Sequence, residues 1–274
     1  MAKKTIDEMS FLDHLEDLRW HLIRATLGIV IAATLAGIFY KFIFDVIIFG
    51  PTRMDFATYN GLCQISKFLG ITDTTFCAEE FPFIIQNRTV AGQFSAHIWT
   101  SIYAGFIISF PYVLYQLWSF ISPGLKSNER KSSRGFLFIA SMLFFIGVLF
   151  GYYIVTPLSI NFLANYKISE QISNEFDISS VIAIVRSSAI ASGFVFELPI
   201  VIYFLTKIGL VTPQFLRKYR KYALVIVLIL SAVITPPDIA SQVIVAVPIL
   251  ILYQISIYIS AVVVRKQKRK EKYV

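Results

Sequence analysis

Between Arg88 and Lys126 the chain runs for 37 residues without a Lys, Arg, Asp or Glu, and between Arg134 and Lys167 for another 32. A third such stretch, between Asp238 and Arg265, holds 26. A hydrocarbon core about 30 Å thick takes about 20 apolar residues of helix, so each gap is longer than one crossing. A soluble globule cannot use such gaps, because it needs polar residues across its whole surface. Only 15% of the 274 residues are charged and 56% are hydrophobic, against roughly 25% and 45–50% in soluble domains. The fold class that follows is an all-α integral membrane protein. Disordered, coiled-coil, disulfide-dense secreted and soluble Rossmann-type folds are excluded.

Six apolar stretches read as spans: 22–48, 94–120, 135–163, 178–204, 222–234 and 241–264. Lys41 and Asp45 lie near the far end of the first, and the fifth, at 13 residues, makes only about 20 Å of helix. An even number of crossings leaves both termini on one side, and the sorting of cations says which. The two ends and the second and fourth connections hold 19 of the 25 Lys and Arg residues, Arg19 and Arg24 among them. The opposite side has Lys41, Arg53, Lys67, Arg88, Lys167 and Arg186. The expected organisation is a cytoplasmic amphipathic segment (1–21), a six-span membrane domain (22–264) and a basic cytoplasmic tail (265–274). Within the membrane domain, 50–93 is an external loop and 121–134 a cytoplasmic one. The net charge of +8 follows from this asymmetry, so nucleic acid is not needed as a partner. The first stretch lacks a small-residue cleavage pattern and is expected to stay as a span.

Cys63 and Cys77 fall in the external loop, where an oxidising compartment permits a disulfide; two free thiols are the alternative. A metal site is not expected from two cysteines without a nearby histidine, and no cofactor is implied. The three histidines do not form H-E-x-x-H, and no phosphate-cradling glycine loop, G-x-S-x-G elbow or C-x-x-C is present. Nothing points to an enzyme.

The remaining signal is in polar residues at unusual places. Ser10 and Asp13 read as a capping box that opens a helix with Phe11, Leu15, Leu18 and Leu22 on one stripe and His14, Asp17, His21 and Arg24 on another. Glu16 and Asp17 are adjacent acids on a basic face; a solvated lead-in helix is the plainer reading. Glu129 is the only carboxylate among four cations in the cytoplasmic loop, where an ion pair with Lys126 or Arg130 would do little. Glu197 lies ten residues before Lys207, about 15 Å into the bilayer, where a charge costs at least about 2.5–3.5 kcal/mol unless it faces protein or water. Pro199 is expected to bend the helix beside it. Arg186, eleven residues earlier, is nearly in phase with Glu197 and can line the same face. Thr235-Pro236-Pro237-Asp238 ends the fifth span, with Gln242 following: a tight turn, or a polar docking edge.

Four segments carry a resemblance: His14-Leu15-Glu16-Asp17-Leu18-Arg19; residues 111–129; Gly193-Phe194-Val195-Phe196-Glu197-Leu198-Pro199; and Ile234-Thr235-Pro236-Pro237-Asp238 with Ser241-Gln242. In this order they resemble the TatC family, the six-span core of the twin-arginine protein translocase. The resemblance implies a concave, glove-like bundle in the bacterial inner membrane, with both termini cytoplasmic. It implies recruitment of folded proteins bearing twin-arginine signal peptides. Single-span partners of the TatA and TatB type, further copies of the chain in a receptor complex, and the proton-motive force as the energy source come with it. Glu129 matches the loop glutamate that pairs with the signal's arginines. Asp17 takes the place of a second acid, usually glutamate in the H-L-x-E-L-R pattern, and is one methylene shorter, with Glu16 adjacent. Leu18, Arg19, Phe120, Pro123 and Leu125 match positions that form or support that surface. Glu197 matches an intramembrane glutamate facing the cavity, and Thr235 and Gln242, beside Asp238, match a polar edge that meets partner helices. The long external loop with Cys63 and Cys77 goes beyond the family's usual pattern.

The chemistry fits on its own terms. A guanidinium pair is permanently charged and planar; two separated carboxylates can each take one, at about 1.5–3 kcal/mol per charge-assisted bond. Surrounding Lys and Arg repel a peptide out of register. The competing class is a secondary transporter with Glu197 as an ion or proton site.

Overall fold

The computed structural model describes residues 11–68, 70, 77, 81–121, 133–169, 171–235 and 239–271. Helix α1 (Phe11–Ile38) is continuous for 28 residues, so the amphipathic lead-in runs directly into the first span. Past Ile38 the chain tightens and loosens in single turns, an α-turn at Tyr40–Phe42, a π-turn at Ile43–Ile48 and a 3-10 turn at Gly50–Thr52. Helix α2 (Ala57–Phe68) and strand β1 (Phe83–Gln86) follow. Helix α3 (Gly92–Ile121) then runs for 30 residues with Pro111 inside it. Helix α4 (Ser133–Phe150) continues through a π-turn at Gly151–Val155 into α5 (Thr156–Asn165), where Pro157 occupies the first turn and needs no hydrogen-bonded N–H.

Strand β2 (Asn174–Asp177) leads into α6 (Ile178–Phe196), whose N-cap Asp177 accepts from Ser179 N–H at 3.0 Å. Glu197 separates α6 from α7 (Leu198–Lys207). Helix α7 closes on Gly209 at φ +83°, with Gly209 N–H bonded to Thr206 O and Leu210 N–H to Leu205 O, a Schellman stop that needs the left-handed residue. Helices α8 (Pro213–Lys218), α9 (Arg220–Ile234) and α10 (Ile239–Glu271) complete the chain.

Five helical stretches have the length and apolarity to cross a bilayer: Leu15–Ile38, Gly92–Ile121, Gly135–Asn165, Ile178–Lys207 and Ser241–Arg269. Helix α9, with 15 residues, gives about 22 Å and is short, in line with the brief fifth apolar stretch. The described residues divide into two units. One comprises Met1–Val46 with Thr89–Met142, and its core is the α1–α3 pair. The other comprises Ile47–Arg88 with Leu143–Val274. Its interior is built on Val155, Val227, Val245, Ala246 and Ile249, with a smaller cluster of Ile202, Leu216 and Ile257. The strands β1 and β2 pair in parallel, Phe83 opposite Asn174 through Gln86 opposite Asp177.

Candidate functional site

Small residues bring α1 and α3 together. A Cβ on Gly105 would lie 2.5 Å from the Ala33 backbone nitrogen, and one on Gly28 would fall 2.6 Å from the Tyr112 ring. Side chains then tie the pair at both ends. Near the start of α1, His21 Nδ1 lies 2.8 Å from Oε1 of the buried Gln116. Near its end, where α1 has stopped and a carbonyl needs a donor, His97 Nε2 meets Gly37 O at 3.1 Å, with the Tyr40 ring 5.0 Å from the imidazole. A backbone carbonyl leaves no mark in a sequence, so this contact of His97 is visible only in the structure.

The acidic face is built on the first of these ties. Asp17 Oδ1 lies 3.8 Å from His21 Nε2, one turn apart, with the Asp17 side chain 43% exposed. The Phe120 ring stands edge-on to His21, centroids 6.4 Å apart. Glu16 and Arg19 are exposed. The opposite face of α1 presents an open apolar surface formed by Leu15, Leu18, Leu22, Leu27 and Val30, with Arg19 among them. Asp17, His21 and Phe120 are therefore brought together. The capping pair Ser10–Asp13 and the residues Pro123, Leu125, Glu129 and Asp238 lie outside the described residues or side chains.

Glu197 has a different setting. The α4 and α6 backbones touch: a Cβ on Gly151 would sit 2.2 Å from Ser188 O, one on Gly147 2.5 Å from Ser192 O, and one on Gly193 2.7 Å from the Phe144 ring. This is the small-residue contact by which helices associate in lipid. Beyond it α6 stops. Glu197 N–H bonds to Phe194 O at 3.1 Å rather than one residue further back, and Pro199 supplies no N–H. Glu197 is half-buried, and its Oε1 has no hydrogen-bond partner among the described residues. Arg186 is half-buried too and lies about 16 Å back along the helix, too far to pair with it directly. Thr235 donates to Ser231 O at 2.8 Å and Gln242 to Leu228 O at 2.9 Å, so each has one polar group turned back onto α9.

The described residues between the first and third helices include a packed body. Cys63 and Cys77 are bonded, with Cα atoms 5.2 Å apart. Tyr59 is fully buried, its phenol 2.9 Å from both Pro51 O and Pro157 O, and burial pushes its hydroxyl pKa above the ordinary phenol range. Thr58 donates to Tyr153 O, and Phe56 stacks on the Tyr153 ring at 5.4 Å. Phe83 stacks on Phe176 at 4.5 Å across the strand pair, and Arg88 meets Glu175 at 3.0 Å. At Asp177, desolvation pushes the pKa up. The N–H groups of Arg88 and Ser179, the Ser179 hydroxyl and the Arg88 charge outweigh it and hold the carboxyl below its usual range. Among the described residues no group of three His, Cys, Asp or Glu could hold a metal ion.

Residues 13–248 match the family described as the Sec-independent protein translocase protein TatC. The chain belongs to the TatC family. It is 44% identical over 265 residues to the Sec-independent protein translocase protein TatC of Blattabacterium sp. subsp. Periplaneta americana, a match covering 97% of this chain and 100% of the relative. Against TatCy of Bacillus subtilis it is 33% identical, covering 98% of this chain and 95% of the relative. A crystal structure of the twin-arginine translocase receptor TatC superposes with a TM-score of 0.67 at 31% identity, covering 92% of this chain and 99% of the other. A second, determined in the detergent DDM, gives 0.68 at 33% identity, covering 90% and 99%. The chain is thus a multi-pass membrane component of the Sec-independent translocase of the bacterial inner membrane. TatC is a component of a protein translocase and not a family of catalysts.

Proposed function

We propose that this chain is the receptor of its translocase, taking the paired arginines of a signal peptide on Asp17 and Glu129. Glu16, Arg19, Phe120, Pro123 and Leu125 complete the surface. The observation that carries the reading is Asp17: a half-exposed carboxylate beside His21, which Gln116 holds from α3. The reading includes six spans with both termini in the cytoplasm, which puts Asp17 on the cation-rich side. Glu197 and Arg186 then face a polar cavity, and Thr235, Asp238 and Gln242 form the edge where TatA- and TatB-type helices assemble. A passage for folded cargo needs those partners and further copies of the chain, driven by the proton-motive force.

The test is binding of a fluorescent twin-arginine peptide and its twin-lysine counterpart to the purified chain in nanodiscs. Tight binding of the first, weak binding of the second, and loss of the difference in Asp17→Asn or Glu129→Gln are expected. Equal affinity for the two peptides in the wild type would remove the receptor role.

A further inference from the structure

At the head of the α1–α3 pair one side chain touches three others. His21 puts Nδ1 2.8 Å from Gln116 Oε1 and Nε2 3.8 Å from Asp17 Oδ1, with its ring edge-on to Phe120. Its side chain is 14% exposed against 43% for Asp17, so the ring is the anchored member and the carboxylate the reachable one. A helical side chain leans toward the N-terminus of its own helix, which lets residue 21 brace residue 17, one turn back. Gln116 is buried in α3 and fixes the ring from the neighbouring helix. One ring nitrogen therefore bonds to the Gln116 amide, and the other faces the Asp17 carboxylate at ion-pair distance.

We propose that His21 is a positioning residue for signal-peptide recognition: held by Gln116, it keeps the Asp17 carboxylate turned to the α3 side of α1, where a guanidinium of the signal takes it. The inference rests on the reading of Asp17 as a recognition carboxylate. It bears on specificity. A planar guanidinium makes two parallel bonds only to a carboxylate in one orientation, whereas an ammonium accepts any. A braced Asp17 therefore favours arginine over lysine more than a freely rotating one.

His21→Asn and His21→Gln separate the two contacts, because the asparagine amide reaches where Nδ1 lies and the glutamine amide where Nε2 lies. The full-length chain in nanodiscs is titrated with twin-arginine and twin-lysine peptides, and its unfolding temperature is recorded alongside. His21→Asn is expected to unfold as the wild type does, to bind the twin-arginine peptide about fivefold more weakly, and to discriminate less against lysine. His21→Gln, which restores a group at Nε2 without the Gln116 anchor, and Gln116→Leu, which frees the ring, are each expected to show a smaller part of that loss. Wild-type affinity and discrimination in both His21→Asn and Gln116→Leu would overturn the brace, as would a His21→Gln no better than His21→Asn. Asp17→Asn is measured beside them. If it binds weakly while the His21 variants bind normally, the brace alone is wrong; if it too binds normally, the recognition role of Asp17 falls with it.

Discussion

The α1–α3 pair and the α4–α6 seam solve the same packing problem and end differently. Each brings two long helices into backbone contact through small residues, Gly105 on Ala33 in the first, Gly147 and Gly151 on Ser192 and Ser188 in the second. At the end of the first pair, polar side chains answer one another: Gln116 meets His21, and His21 meets Asp17. At the end of the second stands Glu197, with an oxygen that nothing among the described residues answers. A partnered carboxylate at a wet rim can exchange one partner for another at little cost. An unanswered one inside the membrane keeps a hydrogen bond still to be made, and native structures rarely leave such a group without a reason.

The contrast can be broken most forcefully at the seam. Gly151→Ala places a methyl on the Ser188 carbonyl, backbone that cannot turn aside, and is expected to destabilise the chain by about 3 kcal/mol, read as a fall in thermal unfolding temperature in detergent. Gly135→Ala, on the same long helix, meets nothing within 4 Å and is expected to leave that temperature alone. Cys63→Ser comes next. Opening a loop of 14 residues' separation is expected to cost roughly 2–3 kcal/mol. Hydrogen exchange should place that loss in the body around Tyr59 and leave the α1–α3 amides unchanged.

The two carboxylates sharpen the contrast directly. Glu197→Leu removes the unanswered oxygen and is expected to raise stability by about 1 kcal/mol while impairing export of a twin-arginine reporter. Asp17→Asn is expected to move stability by less than about 0.5 kcal/mol while impairing export as well. If Glu197→Leu lowers the unfolding temperature, Glu197 has a partner at rest and the contrast fails. The smallest effect is expected at the strand pair of β1 and β2. Arg88→Ala should cost less than about 1 kcal/mol, as exposed ion pairs do. Because the Asp177 carboxyl is held below its usual range, its contribution is present above the ordinary carboxylate pKa and lost as pH falls through the lowered value. Protease cutting near residue 88 should therefore increase in acid, and should increase less in Asp177→Asn.

Much of this was legible in the sequence, for identifiable reasons. Charge-free gaps longer than a bilayer locate helices whatever their neighbours do, and Pro199, two residues after Glu197, announced the break between α6 and α7. Asp17 stood out as an acid on a basic face. His21 was visible only as part of a stripe, because its role depends on Gln116, 95 residues away, in a run that otherwise reads as interfacial aromatics. His97 and Tyr59 were invisible for a related reason: both bond to backbone carbonyls, and any residue supplies one. The strands β1 and β2 are four residues each and lie where loops were expected. Their pairing depends on a register between distant segments that no local pattern encodes.

That pairing bears on how the chain is made. Phe83 and Asn174 can align only when the two intervening crossings, Gly92–Ile121 and Gly135–Asn165, have both been threaded and both strands have emerged on the same face. A nascent chain in which one of them stalled would strand the two ribbons on opposite sides of the lipid. The small parallel clasp, with its stacked Phe83 and Phe176, can thus close only after both of those helices are in place.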